Sequence, residues 1–201
     1  MNAKEKLIER FGYCKNQELT ALDEHKLFAK NGISTVAALA GTGKTTMMLS
    51  HKKAWESLGY HVSHMNFDSA YTYGAEMIEC PASSSEVDEM FEILVKFATK
   101  NDIIVIDSLK AAASYLQINI EDNSHMYDLM LKLKALAKAT GCSIILIHHI
   151  YRPKNIKSHV DSFYGSRAIE EQSDSGFIFY GKHVKIVKSR LGHHRDKTID
   201  L

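Results

Sequence analysis

Proline, cysteine and linker-like tracts are scarce in this chain, whose 201 residues include two prolines and three cysteines. Linkers between domains are usually rich in proline, glycine or serine, so their absence predicts one domain over residues 31–201. Residues 1–30 are expected to form one or two helices that serve in packing or assembly. Because Cys14, Cys80 and Cys142 are odd in number and widely spaced, they indicate neither a disulfide framework nor a zinc finger.

Long apolar runs are missing as well. No segment approaches the ~18–20 apolar residues that a membrane span requires. The chain begins MNAKEKLIER, which lacks the apolar core of a signal peptide. We therefore expect a cytoplasmic protein with no membrane partner.

The chain has almost no net charge, at +1, but its charges are unevenly distributed. Basic residues predominate in 152–167 and 182–197, whereas acidic residues are concentrated elsewhere, for example in 86–92. Such asymmetry permits a surface that binds nucleic acid on a protein that is not basic overall. The alternative is that the basic segments are ordinary solvated faces.

Apolar and amphipathic segments alternate along the chain. Apolar segments predict buried strands at 33–38, 103–106 and 143–147, and 61–67 is a further strand candidate. Helices are predicted between them, at 44–58, 85–99 and 126–137. This alternation is typical of an α/β fold with a mainly parallel sheet flanked by helices. Two further strands, 176–180 and 183–187, are joined by Gly181-Lys182 and predict a C-terminal antiparallel hairpin.

The segment Ala38-Leu-Ala-Gly-Thr-Gly-Lys-Thr-Thr46 lies between the first predicted strand and the first of these helices. This pattern is typical of a phosphate-binding loop, in which backbone N–H groups surround a nucleotide's phosphates, Lys44 contacts the β- and γ-phosphates and Thr45 binds Mg²⁺. The predicted nucleotide ligands are Ala40, Gly41, Thr42, Gly43, Lys44, Thr45 and Thr46. The usual pattern begins with glycine instead of Ala38, but that position shapes the turn without touching phosphate. The alternative is a glycine-rich turn that binds nothing.

Asp107 ends the third predicted strand, in the sequence NDIIVIDS. A carboxylate at this place can hold Mg²⁺, usually through water, beside the Thr45 hydroxyl. Ligands of parallel sheets bind beyond the carboxyl ends of the strands. We therefore expect Asp107, the phosphate-binding loop and the histidines that follow the next strand to form one crevice. The alternative is that Asp107 caps the helix or turn that follows.

Hydrolysis of a nucleotide also needs a group that positions the attacking water. Asp68 is the candidate, because it lies at the end of the strand after the phosphate-loop helix, where ATPases of this layout often have such a group. The alternative is a turn-forming side chain.

His148 and His149 follow the apolar residues 144–147. A side chain at this strand end can hydrogen-bond the γ-phosphate and report its loss to the next loop, so we assign His148 to nucleotide binding and His149 to catalysis. One alternative is that both are structural histidines. Another is zinc binding, but no cysteine or carboxylate lies at a useful spacing from this pair or from His61 and His64.

Residues 150–166 form a long polar segment with basic, aromatic and glycine residues. Long loops in compact domains are usually functional, and basic side chains can contact a phosphodiester backbone while a tyrosine stacks on a base. The predicted DNA contacts are Arg152, Lys154, Lys157 and Arg167. The alternative is an ordinary surface loop.

Lys188 and Arg190 end the last predicted strand, in the sequence VKIVKSRLG. Residues two apart on a strand point to the same face. If that face meets the nucleotide of a neighbouring subunit, Arg190 can stabilise the charge that develops on the γ-phosphate, with Lys188 beside it. The alternative is a basic edge strand that discourages aggregation.

Taken in order, AGTGKTT, IIVIDS, LIHH, the basic loop that ends in YGSRAIEEQSD, and KSRLG resemble the RecA-like ATPases. The arrangement is most similar to the plasmid RepA-type and DnaB-like hexameric helicases, and KSRLGHHRDK resembles KaiC proteins. The resemblance covers Ile33 to the C-terminus and implies a RecA-like ATPase core with ATP and Mg²⁺ bound between subunits. In that family the aspartate element holds magnesium, the histidine senses nucleotide, the next loop faces single-stranded DNA, and a lysine–arginine pair acts on the neighbour's nucleotide. The family's catalytic glutamate has no clear match in this chain.

The resemblance further implies a small stand-alone protein of the phage or plasmid type. It would assemble with copies of itself as a ring, expected to be a hexamer, or as a filament. It would act on single-stranded DNA in replication or recombination, as a helicase, recombinase or annealing protein. One alternative is a KaiC-like regulatory ATPase whose partner is a protein and not nucleic acid. The other is a small-molecule kinase, in which residues 150–167 would form a lid.

Overall fold

The computed structural model of the protein describes residues 19–67, 76–77, 85–150 and 163–201, with the backbone alone for 76–77 and 85–90. Within these ranges the strands are β1 (Thr20–Ala21), β2 (Ala29–Lys30), β3 (Ile33–Ala38), β4 (Val62–Asn66), β5 (Glu76–Met77), β6 (Ile103–Asp107), β7 (Ser143–His149), β8 (Ser175–Phe179), β9 (His183–Ser189) and β10 (Thr198–Asp200). The helices are α1 (Lys44–Ser57), α2 (Ser85–Lys100), α3 (Leu109–Tyr115), α4 (Asn123–Thr140) and α5 (Ala168–Gln172). Every strand and helix predicted from Ile33 onward is present.

Eight of the strands form one sheet in the order β10-β9-β8-β3-β7-β6-β4-β5. The strands from β8 to β5 in this order run parallel, whereas β9 is antiparallel to β8 and β10 is antiparallel to β9. Helices occupy crossovers between parallel strands, which need long connections, whereas a short turn is enough between β8 and β9. The predicted α/β class, the mainly parallel sheet and the C-terminal antiparallel hairpin are confirmed.

The sheet is covered on both faces, because its strands direct alternate apolar side chains to each face. In β7, Ile144 and Leu146 pack in a core cluster with side chains from α2, α3, α4 and α5. Ile145 and Ile147 belong to a second cluster, which includes Trp55 of α1 and side chains around β1 and β2. Burial on both faces explains the unbroken apolar runs Ile103–Ile106 in β6 and Ile144–Ile147 in β7.

The carboxyl ends of β3, β7, β6 and β4 lie at one edge of the sheet, which we call the carboxyl edge. The register places Ala38 opposite His149, Asp107 opposite Ile147, and Asn66 opposite Asp107. The loop after β3, the aspartate at the end of β6 and the two histidines at the end of β7 therefore share this edge, as expected for parallel strands. We call the opposite edge the amino edge.

The helix expected for residues 1–30 is not found in residues 19–30, which form the antiparallel pair β1–β2; the rest of that segment lies outside the described residues. The Asp23 carboxylate between the two strands accepts hydrogen bonds from the backbone N–H groups of Leu27, at 2.9 Å, and Phe28, at 2.8 Å. A carboxylate that binds nearby N–H groups favours a turn over a helix. Both apolar side chains are buried in the cluster that contains Trp55, and the domain boundary at residue 30 stays a prediction.

β7 is longer than predicted, and four short elements after Ile33 were not anticipated, namely β5, α3, α5 and β10. β7 continues through His148 and His149, because its pairing with β3 extends to Ala38, the last residue of β3. α3 and α5 are too short to show a clear helical period, and β10 is partly exposed and carries polar residues. The described residues contain no helix that is long and apolar enough to cross a membrane.

α4 shows how local sequence sets the ends of a helix. Asp122 precedes it, and its carboxylate accepts hydrogen bonds from the N–H groups of Ser124, at 2.9 Å, and His125, at 3.2 Å. These are the contacts of an N-cap, which pairs N–H groups that have no partner inside the helix. Gly141 follows the last turn with a φ of 75°, the left-handed conformation in which glycine commonly ends a helix.

Leu133 and Leu131 on α4 provide a matched test of this packing, because Leu133 is 2% exposed and Leu131 is 41% exposed. We expect Leu133→Ala to lower the free energy of unfolding by about 2–5 kcal/mol, since it removes buried methyl groups and leaves a cavity. Leu131→Ala should change it by less than ~0.5 kcal/mol. Urea unfolding followed by circular dichroism measures both variants. Equal losses would contradict the assignment of the buried face of α4.

Candidate functional site

The loop between β3 and α1 takes its shape from two glycines. Gly41 and Gly43 have φ angles of 76° and 86°, in the left-handed region that residues with a Cβ atom disfavour. The backbone conformation therefore requires glycine at both positions. The space beside the loop is open, because a Cβ atom on either glycine would meet no described atom within 4 Å. Ala38, where the usual pattern has glycine, is the last residue of β3, and an extended position accepts alanine.

Lys44, the first residue of α1, lies across the loop that precedes it. Its Nζ atom donates hydrogen bonds to the backbone oxygens of Ala38, at 3.2 Å, and Leu39, at 2.9 Å. The residue is only 9% exposed. The N-terminus of α1 adds the partial positive charge of its N–H groups at the same place. The loop, the lysine and the helix N-terminus together have the features of an anion site.

Thr45 connects the loop to the end of β6. Its hydroxyl donates a hydrogen bond of 2.8 Å to Oδ2 of Asp107, a residue that is 6% exposed. Asp107 does not cap the helix that follows, because Ser108 is the N-cap of α3 and its Oγ accepts from the N–H of Ala111 at 3.3 Å. A hydroxyl and a carboxylate side by side are the hard oxygen ligands that Mg²⁺ prefers. The pair therefore fits the predicted magnesium site.

His64 on β4 is a second partner of Asp107, which the sequence analysis did not identify. Its Nε2 atom lies 3.3 Å from Oδ2 of Asp107, and its side chain is fully buried. Because a carboxylate only accepts hydrogen bonds, Nε2 carries the proton, and Nδ1 has no partner among the described residues. β4 pairs with β6 so that His64 lies opposite Val105. Asp107 is two residues beyond Val105 on β6, so His64, Val105 and Asp107 lie on one face of the sheet. His64 therefore helps to orient the Asp107 carboxylate.

His64 on β4 and His61, which lies directly before that strand, do not form a pair. His61 is exposed, and its Nδ1 atom lies 3.2 Å from Oδ2 of Asp102, whereas His64 is buried beside Asp107. Among the described residues, no group of three or more histidine, cysteine, aspartate or glutamate side chains could hold a metal ion. The zinc alternative thus has no support in this part of the chain.

His148 and His149 lie on opposite faces of β7. His148 is fully buried, and its Nε2 atom lies 2.6 Å from the backbone oxygen of Tyr164. Burial lowers the pKa of His148 to about 4, although the hydrogen bond to Tyr164 acts in the opposite direction. The ring is therefore neutral at pH 7, and its Nε2–H donates to that oxygen. These are the contacts of a structural histidine, and the roles of both histidines toward a nucleotide stay predictions.

Residues 163–166, which we call the strap, return the chain to the carboxyl edge beside His148. Phe163 forms an antiparallel bridge with Ile150. Gly165 has a φ of 88°, and a Cβ atom there would lie 2.7 Å from the backbone oxygen of Ile120, so both conformation and space require glycine. The two ends of the basic segment between Ile150 and the strap are consequently held next to each other.

Most of the predicted DNA contacts, and the predicted catalytic aspartate, lie outside the described residues. These are Arg152, Lys154, Lys157 and Asp68. Arg167 is described: it is exposed and lies directly before α5. The roles of all five residues stay predictions.

Lys188 and Arg190 lie at the amino edge, away from the phosphate-binding loop. Ser189 at the end of β9 pairs with Ser175, and Ser175 pairs with Ser34 near the start of β3. The loop is about 13 Å farther along β3, and β9 is two strands away at ~4.8 Å per strand. Arg190 therefore does not contribute to the loop of its own chain, and its predicted role requires a second subunit.

Both basic side chains have partners within the chain. Nζ of Lys188 donates to the backbone oxygens of Glu170, at 2.8 Å, and Glu171, at 2.5 Å. Nη1 of Arg190 donates to Oδ1 of Asp174 at 2.5 Å. The two side chains share the face of the sheet that α5 covers, as their spacing predicted. Asp174 was not identified from the sequence, although it ends the motif YGSRAIEEQSD.

Comparison with known proteins gives a match in structure alone. No protein-family profile and no curated protein matches the sequence. The structure is similar to the crystal structure of the RadB recombinase, with a TM-score of 0.60 over 85% of this chain and 86% of that chain, at 13% sequence identity. This similarity of structure confirms the predicted fold class, a RecA-like core with a mainly parallel sheet and a C-terminal antiparallel hairpin. The RepA-type, DnaB-like and KaiC branches are finer predictions that this similarity does not test.

The buried, neutral His148 makes stability depend on pH. Its pKa of about 4 is below the ordinary value of about 6.5. As the pH falls from about 6.5 to about 4, the unfolded chain takes up a proton that the folded chain does not, and stability is lost. Between about pH 7.5 and pH 4.5 we expect the wild type to lose roughly 2–3 kcal/mol more free energy of unfolding than His148→Gln, which keeps a donor for the Tyr164 oxygen.

Urea unfolding at the two pH values measures this difference. His194→Gln is the control, since His194 is exposed, and it should follow the wild type at both pH values. The interpretation fails if His148→Gln and the wild type lose the same free energy.

Proposed function

We propose that the protein is an ATPase that binds MgATP at the loop 38–46 and acts, as a homo-oligomer, on single-stranded DNA in recombination or replication. The observation that carries this proposal is the hydrogen bond between Thr45 and Asp107, which joins the phosphate-binding loop to the carboxylate of β6. The similarity of the fold to the RadB recombinase supports an ATPase of the recombination type.

The contacts of the site support a role for each of its residues. Lys44, which is buried over the loop, would neutralise phosphate charge. The Thr45 hydroxyl and the Asp107 carboxylate would hold Mg²⁺, and His64 would keep the carboxylate oriented. Bound Mg²⁺ supplies positive charge that offsets the negative charge developing on the phosphates. The backbone N–H groups that would bind phosphate belong to Ala40, Gly41, Thr42, Gly43, Lys44, Thr45 and Thr46.

Asp68 and His149 are proposed to position the attacking water. β4 ends at Asn66, opposite Asp107, so the chain leaves the sheet beside the proposed magnesium ligands two residues before Asp68. β7 ends at His149, opposite Ala38, where the loop begins. His149 thus ends one strand, and Asp68 follows another, whose carboxyl ends flank the proposed nucleotide site.

His148 is proposed to relay the state of the nucleotide to the basic segment. Its ring is buried at the end of β7, one residue from the position opposite Ala38. Its Nε2–H donates to the Tyr164 oxygen of the strap. A movement of the end of β7 would therefore be transmitted to the strap and to the segment that it closes.

Subunits are proposed to assemble head to tail, as a hexameric ring or a filament, so that Lys188 and Arg190 of one subunit complete the ATP site of the next. The support for this is the position of both residues at the amino edge, while the loop of the same chain lies at the carboxyl edge. In a head-to-tail assembly, the amino edge of each subunit would meet the carboxyl edge of the next, and the same contact would repeat through the ring or filament. Arg190 would then stabilise the charge that develops on the γ-phosphate.

Single-stranded DNA is proposed to bind the basic segment that begins after Ile150 and ends at the strap. Arg152, Lys154 and Lys157 would contact backbone phosphates, together with the exposed Arg167. Both ends of this segment are held beside His148 by the bridge between Ile150 and Phe163. DNA bound there would consequently be linked to the nucleotide site through β7.

Lys44 provides the first test of the proposed site. We expect Lys44→Ala to abolish ATP binding, because the phosphates lose the positive charge that the loop holds in place. Lys53→Ala is the matched control, since Lys53 is an exposed lysine on the same helix, and it should bind ATP as the wild type does. Isothermal titration calorimetry with Mg²⁺ and a non-hydrolysable ATP analogue measures both. Wild-type affinity in Lys44→Ala would exclude this loop as the nucleotide site.

The second test asks whether single-stranded DNA changes the ATPase rate and whether an ATP analogue promotes assembly. We expect single-stranded DNA to raise the ATPase rate, and a non-hydrolysable ATP analogue to raise the oligomer mass measured by light scattering. Lys154→Ala combined with Lys157→Ala should lose the stimulation, because two phosphate contacts are removed. Lys53→Ala combined with Lys100→Ala, at two exposed lysines elsewhere, should keep it.

Two other outcomes of this experiment are informative. A monomer whose ATPase rate is indifferent to DNA would defeat the proposal. An ATP-dependent oligomer without stimulation by DNA would instead favour a regulatory ATPase whose partner is a protein.

A further inference from the structure

Asp174 is a buried carboxylate at the centre of a cluster of charged groups at the amino edge. Its side chain is 6% exposed, and its two oxygens bind groups from three separate parts of the fold. Oδ2 accepts a hydrogen bond from the N–H of Ile33 at 3.0 Å. Oδ1 accepts from Nη1 of Arg190 at 2.5 Å, and Nζ of Lys134 lies 3.1 Å from the same oxygen. The carboxylate thus links β3, α4 and the end of β9.

The backbone also holds Asp174 and Arg190 in place. The N–H of Asp174 donates to the Ile33 oxygen at 2.8 Å, and the N–H of Arg190 donates to the Asp174 oxygen at 2.8 Å. A Cβ atom on Gly32 would lie 2.7 Å from Oδ2 of Asp174, so glycine leaves the space that the carboxylate occupies. The position of this carboxylate is therefore set by the start of β3, the strand whose other end carries the phosphate-binding loop.

The cluster keeps the carboxylate charged. Burial by itself would raise the pKa of Asp174, but the hydrogen bond from Ile33 and the charges of Lys134 and Arg190 outweigh it and hold the pKa below its ordinary value. A charged carboxylate binds a guanidinium more strongly than a neutral acid does. Asp174 consequently holds Arg190 at neutral pH.

Arg190 is only partly covered by this contact. Its side chain is 47% exposed, and a guanidinium has five N–H donors in a planar fork. Within the described residues, Asp174 is the one acceptor of its side chain, and it binds Nη1. The remaining donors are therefore available to a group outside the chain while the arginine stays attached to Asp174.

We propose that Asp174 is a positioning residue for Arg190, holding the guanidinium so that its exposed N–H groups meet the γ-phosphate of ATP bound to the next subunit. This inference rests on the proposed function, because it requires an ATP site between subunits. An arginine already held in one orientation loses less conformational freedom when it binds the transition state. Asp174 also binds the start of β3, and the other end of β3 leads into the subunit's own phosphate-binding loop. The position of β3 therefore sets the position of the arginine that the subunit presents to its neighbour.

Asp174→Asn tests the proposal, because it removes the charge while keeping an oxygen for the Ile33 N–H and nearly the same shape. We expect ATP turnover by the oligomer to fall about tenfold or more, since a charge-assisted contact to Arg190 is lost. Affinity for a non-hydrolysable ATP analogue should stay at the wild-type value, because the loop is at the other edge of the sheet. Loss of ATP binding together with turnover would overturn the proposal.

Mixed oligomers give a result that a merely structural role would not produce. Lys44→Ala subunits lack a functional loop but carry intact Asp174 and Arg190, whereas Asp174→Asn subunits carry an intact loop. In an equal mixture, about a quarter of head-to-tail interfaces join the intact loop of one variant to the intact arginine of the other. We expect these interfaces to recover turnover. No recovery would overturn the proposal.

A mixture of Arg190→Ala with Lys44→Ala separates this inference from the proposed function. If that mixture recovers turnover and the Asp174→Asn mixture does not, Arg190 acts between subunits without Asp174, and only the inference fails. If neither mixture recovers, the ATP site between subunits is itself wrong. Asp196→Asn is the matched control, because it removes an exposed carboxylate that lies 3.2 Å from Lys185 on β9, and it should keep wild-type turnover.

Lys134→Met keeps the proposal testable if Asp174→Asn does not fold. It removes a cation from the same carboxylate but leaves Arg190 bound to it. We expect a lower urea midpoint and a partial loss of turnover that mixing with Lys44→Ala recovers, because the carboxylate that holds Arg190 loses one of its two cations. Turnover that is lost in Lys134→Met, and not recovered on mixing with Lys44→Ala, would count against a positioning role for Asp174.

Discussion

β3 is hydrogen-bonded to parallel neighbours on both sides, β7 and β8, and the groups of the candidate site are positioned relative to it. Its carboxyl end leads into the phosphate-binding loop and lies beside His149. Through β7 and β6, the same register brings Asp107 to Thr45. At its amino end, the N–H of Ile33 binds Asp174. A shift of the register by one residue would move each strand's side chains to the opposite face of the sheet, so the site depends on this pairing.

The sheet separates two sets of charged groups that the proposed reaction needs together. The lysine, threonine and aspartate of the nucleotide site lie at the carboxyl edge, while Lys188 and Arg190 lie at the amino edge, on the far side of β8. A stiff sheet cannot fold back to bring its own edges together. Assembly with a second copy would join them, and this is why the proposed function requires an oligomer.

Most of the fold, and the phosphate-binding loop of the site, could be predicted because they depend on residues close together in the chain. Apolar strands and amphipathic helices are patterns with periods of 2 and 3.6 residues. Asp107 could be placed beside Thr45 because parallel strands end at a common edge. A helix was predicted for residues 19–30, which instead form two short strands. The Asp23 carboxylate binds backbone N–H groups and so favours a turn, and the pattern of apolar residues does not reveal this.

Consecutive residues were enough to define the phosphate-binding loop, the ends of the strands and the places where charged side chains leave the sheet, since each depends on a short stretch of backbone. Only the folded sheet established that His64 contacts Asp107, that Asp174 holds Arg190, and that this arginine lies at the edge away from the loop of its own chain. Those contacts depend on which strands are neighbours. Strand order is set by the packing of side chains far apart in the sequence, and no local pattern encodes it.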